Sequence, residues 1–307
     1  MKARIRPSSA RAGRKKRRHV SSPELAPGAL RHVERALQKQ WTRYRKELRR
    51  CQRKFSEKAV HNSRVSARRL LATIELLEEF LWADVLKKVR HLIKEHLDIF
   101  DDLRDTQVQL VAVNGLQPTL PIARIFSGWL NKREGRFRER TCSCVKRIKT
   151  KPLVKLIAVS EDALEKQLKK QKGNAAANLL IRAVSKAYSR TAQLKKKIRA
   201  NCPESIHRTR VAFKRFRYMV ELLADDLAAD EKLLEEMQHY QTMMGDIQDA
   251  EVLLQTFDKF ARKKKIRAGS ASQLRDELVR RREWLTNVYL DAAGQLREFW
   301  PIRGRVT

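Results

Sequence analysis

Hydrophobic positions recur along most of this chain at steps of three and four. Between Pro27 and Cys51, the residues Leu30, Val33, Leu37, Trp41, Tyr44 and Leu48 form one such stripe. That spacing places them on one side of a helix. A second helix is predicted from about His61 to about Phe80. A third, long helix begins at Asp84 and ends near Asn114-Gly115, where QPTLP makes a break. A fourth runs from about Ile122 to Lys149 and is stopped by Pro152. The stretch LVKLIAVSEDALEKQLKKQ then predicts a connecting helix, ended by Gly173-Asn174.

After the connector the series restarts. AAANLLIRAVSKAYSRTAQLKKKIR corresponds to the first helix. HRTRVAFKRFRYMVELL, beginning at His207, aligns without a gap with HNSRVSARRLLATIELL, beginning at His61. Each begins with His, has Arg three residues on and then Val, carries a basic pair and finishes Glu-Leu-Leu. LRDTQV and DIQDAEV match in the third helices, Asp105 against Asp249. Two matches in the same order predict an internal duplication. The expected fold is all-α: two four-helix bundles related by a pseudo-twofold axis. Residues 1–26 form a basic tail. The first repeat covers about 27–150, the connector 151–173 and the second repeat 174–307.

On a helical wheel, Ala67, Leu70, Ile74 and Leu77 share one side of the first copy. His61, Arg64, Arg68 and Glu75 share the other, with Arg69 at its edge. In the second copy Phe213, Phe216, Val220 and Leu223 oppose His207, Arg210, Lys214 and Glu221, with Arg217 at the edge. The apolar sides explain how these helices are held. The cations need another reason, because like charges at i,i+4 are unfavourable by a few tenths of a kcal/mol.

Composition strengthens this. The chain has 307 residues with 69 Lys and Arg against 35 Asp and Glu, a formal charge of +34. The first twenty residues contain nine basic and no acidic side chains, so 34 less 9, or +25, remains on the body. Such self-repulsion destabilises a compact protein unless a polyanion neutralises it. Nucleic acid, an anionic membrane surface and a phosphate polymer are the candidates. With 42% hydrophobic residues most of the chain should be globular. No apolar run reaches the ~20 residues of a membrane span, and the N-terminus lacks the apolar region of a secretory signal.

Cys51, Cys142, Cys144 and Cys202 read as scattered reduced thiols, and a lone C-x-C is a weak metal signal. Neither a metal nor a cofactor is expected. The candidate anion site comprises His61, Arg64, Arg68, Arg69, His207, Arg210, Lys214 and Arg217. Arg offers bidentate contacts to phosphate oxygens and Lys a compact charge. Asp105 and Asp249 are candidates to hold the arginines in place. No Walker A motif, metal-binding histidine spacing or nucleophile with an adjacent base supports catalysis.

HNSRVSARRL and HRTRVAFKRFRY, with LRDTQV and MGDIQDAEV, resemble the conserved histidine α-helical (CHAD) domain family from about residue 28 onward. One departure is Leu71, which stands where the second copy has Arg217. The resemblance implies two four-helix bundles around a basic cavity that binds inorganic polyphosphate. Some members are fused to a triphosphate-cleaving tunnel domain. No stretch here resembles that domain's E-x-E-x-K signature, so a non-catalytic, stand-alone binding domain is expected. The expected setting is the cytoplasm, in solution or on polyphosphate granules. The alternative is nonspecific binding of nucleic acid, with the basic tail as its contact.

Overall fold

The structure is a computed structural model. It describes residues 29–79, 81, 84–117, 120–170 and 175–302; the basic segment 1–26 lies outside them. Its helices are α1 (Ala29–Arg53), α2 (Glu57–Leu77), α3 (Asp84–Asp98), α4 (Asp101–Asn114) and α5 (Pro121–Arg147). They are followed by α6 (Lys151–Lys170), α7 (Ala175–Lys195), α8 (Pro203–Leu222), α9 (Glu231–Lys263) and α10 (Ala268–Ala292). A 3-10 turn, Ala293–Glu298, closes the series. The fold is all-α, with no strand among the described residues.

Local chemistry sets the helix starts. Ser56 caps α2 by accepting a hydrogen bond from the Ala59 N–H at 3.3 Å. Asp230 caps α9 by accepting from the Leu233 N–H at 2.7 Å. Each cap satisfies one of the N–H groups left open in a first turn. Pro121 and Pro203 lie in the first turns of α5 and α8, where a missing N–H does no harm. Pro152 likewise lies in the first turn of α6 rather than merely ending α5.

Two predicted boundaries shift. The repeated helix starts at Glu57, so His61 lies one turn inside it; His207 is placed in the same way in α8. The long third helix is divided at Ile99-Phe100 into α3 and α4. Neither Pro nor Gly marks the division. Phe100 is buried there, and the Thr141 hydroxyl of α5 donates to the Ile99 carbonyl at 3.2 Å. That bond satisfies a carbonyl at the interruption. The corresponding α9 runs unbroken for 33 residues.

α1 packs on α2, α2 on α3 and α4 on α5; α7 packs on α8, α8 on α9 and α9 on α10. The halves join where α2 meets α8 and α4 meets α9. The larger core includes Tyr44, Leu70, Ile74, Phe213, Phe216 and Tyr240. A second core joins Val113 and Phe126 to Leu253, Phe257, Phe260 and Leu274 from the other half. Each fully buried Leu, Ile or Phe contributes about 1.5–3 kcal/mol. These two cores fix α2 against α8 and α4 against α9. The candidate residues lie along those two seams.

Candidate functional site

The buried sides of α2 and α8 carry small residues near the candidate cations. Ser63, Ser66 and Ala67 are buried on α2, and Ser205 and Thr209 on α8. Their hydroxyls are largely satisfied within the helices: Ser66 donates to the Ser63 carbonyl and Thr209 to the Ser205 carbonyl, both at 2.9 Å. Small, internally bonded side chains leave room for long cationic ones between the helices.

The cations divide into two groups. In the first are Arg64 and Arg210, aligned in the repeated sequence, with Arg68 and Lys214. Arg64 is only 8% exposed. Its Nη2 lies 3.6 Å from Asp101 Oδ1, and its Nε has no protein acceptor. Arg210 Nε also has none, and neither does His207 Nδ1. The Arg210 guanidinium lies against Gly245 of α9, with its Nε 3.5 Å from where a Cβ would stand. A glycine therefore leaves that guanidinium space beside the helix backbone.

Burial and mutual repulsion penalise these charges. Burial, then Arg68, lowers the Arg64 pKa to about 10. Arg210 is lowered for the same two reasons, against the pull of Asp249. Lys214 is lowered to about 7 by burial first, then by Arg68 and Arg210. Glu75 opposes that shift but does not reverse it. A buried charge is normally paired or neutralised. Here several cations share one seam with fewer direct ion pairs than charges.

A cavity of about 540 Å³ opens beside this seam. His61, Arg64, Arg104, Arg281, Asp246 and Asp249 are among its lining residues. Arg104 and Arg281 were not foreseen. Arg104 adjoins Asp105 in the matched LRDTQV segment, which offered a signal; no sequence feature singled out Arg281. Asp105 and Asp249 are within electrostatic reach of Arg64 and Arg104 but make no direct ion pair among the described residues. Desolvation raises both carboxyl pKa values, and Asp249 raises Asp105 further. Their effect on the arginines is a field across the cavity rather than a hydrogen-bonded clamp.

The second group has a different environment. Arg69 crosses from α2 to Glu221 of α8 at 3.1 Å. Arg215, aligned with Arg69 in the repeated sequence, crosses the other way to Glu79 at 2.8 Å. It also donates to the Glu75 carbonyl at 3.2 Å. Arg217 donates to Glu221 and Gln241 and lies over the Tyr218 ring at 4.4 Å. Arg69 and Arg217 thus share a carboxylate away from the 540 Å³ cavity, on the side of a smaller cavity lined by Arg69, Tyr218 and Glu221. Arg215 was missed although the alignment pointed to it. In each basic pair, the first cation faces the seam cluster and the second ties α2 to α8.

That division predicts a structural variant. Glu221→Ala leaves Arg217, 9% exposed at its side chain, without its carboxylate. The expected loss is about 1–3 kcal/mol of stability. A lowered midpoint in thermal or urea unfolding checks it. An unchanged midpoint would mean that the Glu221 ion pairs do not hold the helices together.

The architecture has counterparts among solved structures. The crystal structure of the CHAD domain from the plant Ricinus communis superposes with a TM-score of 0.68 at 16% identity. That match covers 90% of this chain and 93% of the other. PptA from Streptomyces chartreusis gives a TM-score of 0.64 at 16% identity, covering 88% of this chain and 99% of that one. At such identities the likeness concerns the fold. No curated protein matches the sequence. The CHAD domain family model matches residues 35–258, which is more than half of the chain, and the protein belongs to that family.

Proposed function

We propose that the protein binds inorganic polyphosphate at the α2/α8 seam and does so without catalysis. The observation that carries this reading is the set of under-paired cations, Arg64 buried and Arg210 and Lys214 half-buried. Phosphate oxygens are strong acceptors, and bidentate arginine contacts suit them. A chain of phosphates supplies many such acceptors along one line, matching cations contributed by two helices. Arg104 and Arg281 extend the cationic lining beside the seam. The charges of Asp246 and Asp249 balance part of it across the cavity.

The same features speak against base recognition. No Phe, Tyr or Trp lines the 540 Å³ cavity, whereas single-stranded nucleic acid is held largely by stacking on aromatic rings. Tyr218 faces the smaller cavity and already carries Arg217. Among the described residues no helix is long and apolar enough to cross a membrane. A cytoplasmic protein, in solution or on polyphosphate granules, would use the seam in the same way.

Competition at one fixed salt concentration tests the reading. Polyphosphate should displace both single-stranded and duplex DNA from the full chain at equal phosphate concentration. Preferential retention of DNA would replace this reading with nonspecific nucleic-acid binding, whose affinity comes from counterion release.

A further inference from the structure

We infer that the outer face of α1 is a second polyphosphate-binding track, separate from the seam, on which the rest of a long chain lies. This inference rests on the proposed function and deepens it: the preferred ligand becomes long-chain rather than short-chain polyphosphate.

The apolar side of α1 is buried through Leu30, Val33, Leu37, Tyr44 and Leu48. On the outer side Arg35, Lys39, Thr42, Lys46, Arg49 and Arg53 follow one another at steps of four and three. They form a narrow row about 27 Å long at 1.5 Å per residue. All six are exposed. None of the five cations has an ion pair to a described acidic residue. Some outward cations elsewhere are matched, as Arg275 is with Asp258, Arg280 with Glu277 and Lys169 with Glu165. On α1 the nearest such match, Arg50 with Glu47, stands beside the row rather than in it. Like charges at this spacing work against the helix, so an external anion would relieve the row.

The space between these side chains is open to solvent along the line. Arg35, Lys39, Thr42 and Lys46, with Arg43 and the carboxylate of Glu47, border about 680 Å³ of it. Thr42, Lys46, Arg49 and Arg53 border about 420 Å³ more, and the two stretches share Thr42 and Lys46. Arg45, which borders the second, has a buried Nε with no protein acceptor. At the other end, Lys39 and Arg43 line the smaller cavity with Arg69 and Tyr218. Arg69 there ties α2 to α8 through Glu221, which lines the same cavity together with Asp225. The α1 row therefore reaches the α2/α8 contact on the side of Arg69, away from the 540 Å³ cavity.

Polyphosphate fits this row better than nucleic acid does. The aromatic residues of α1, Trp41 and Tyr44, are buried and offer no outward ring for base stacking. The row presents charge in a single line, which suits a flexible polymer with charge on every unit. Occupying the seam and the track with one chain makes the second contact intramolecular, so affinity should rise with chain length beyond what the seam alone supplies.

The test uses the full chain and a variant combining Lys39→Gln, Lys46→Gln, Arg49→Gln and Arg53→Gln. The probes are tripolyphosphate, long-chain polyphosphate and single-stranded DNA. Because the four side chains are exposed, circular dichroism and thermal melting should match the parent. Tripolyphosphate affinity should not change. Long-chain affinity should fall at least about tenfold, and the slope of log affinity against log salt should become shallower by about three, at ~0.7 per lost phosphate contact. Unchanged long-chain affinity and slope would overturn the track. Equal weakening of tripolyphosphate would also overturn it, showing diffuse attraction. Loss confined to DNA would assign the face to nucleic acid instead. If the parent binds neither phosphate probe, the proposed function itself falls, and the track with it.

Discussion

Replacing Arg64 and Arg210 together by methionine is expected to weaken polyphosphate binding about a hundredfold or more without lowering the melting temperature. Each charge-assisted hydrogen bond contributes about 1.5–3 kcal/mol. Two together are worth about 3 kcal/mol at least, and 1.4 kcal/mol is a factor of ten. Stability should behave differently, because neither guanidinium is well paired inside the protein. Arg64 is buried with an unused Nε, and its one carboxylate neighbour is 3.6 Å away and half exposed. Arg210 lacks an acceptor for Nε as well. Replacing buried charges by apolar groups of similar volume is often neutral or stabilising. Asp101 loses a partner but remains open to water. Titration with polyphosphate and a melting curve on the same variant check both halves. A large drop in melting temperature would make these arginines parts of the scaffold; undiminished binding would place the ligand elsewhere.

The sequence was most informative where its pattern was local. The stripe through Leu30, Val33, Leu37, Trp41, Tyr44 and Leu48 is the buried side of α1, as its spacing predicts. The outward side of that helix was equally visible as a row of cations, yet only the packing of its neighbours shows that no cation of the row has an ion pair among the described residues. The break at Ile99-Phe100 was not legible. It depends on burial of Phe100 and on a hydroxyl from residue 141, which no local pattern reports.

The candidate site was legible to a similar depth. Periodicity set Arg64 and Arg68 apart from the apolar side of α2, and in the structure Arg64 is nevertheless buried. It placed Arg69 at the edge of that group, but one residue is a turn of 100° on a helix. That angle carries Arg69 to Glu221 while Arg68 stays by Lys214. The same angle takes Arg215 to Glu79. Arg217 reaches Glu221 on its own helix, a pairing visible at i,i+4 had the acidic residue been read as its partner. Arg281 comes from α10, far along the chain, and only the tertiary contact of α9 with α10 brings it to the cavity.

Lys214 should make polyphosphate binding take up protons near neutral pH. In the free protein, burial and then the charges of Arg68 and Arg210 lower its pKa to about 7. Arg64 adds to the repulsion, and Glu75 is the opposing charge. A substantial share of the molecules therefore carries a neutral amine at pH 7. A bound phosphate chain reverses the local field and favours the ammonium form. Affinity should then rise as pH falls through about 7, with the phosphate chain still anionic. Stability should move in the opposite direction. An unfolded lysine titrates near 10.4, above the folded value. Between the two values the unfolded chain binds the extra proton, so stability rises with pH across that window. The contribution is lost as pH falls through about 7. Lys214→Met should remove the proton uptake and flatten the rise of melting temperature between pH 7 and about 10. Calorimetric titration in buffers of different ionisation enthalpy measures the uptake directly. His61→Gln with His207→Gln separates the histidines from the lysine, because that variant should retain it. Uptake that survives Lys214→Met but disappears in the histidine variant would transfer the proton-binding role to the two histidines, leaving Lys214 as a fixed charge of the seam.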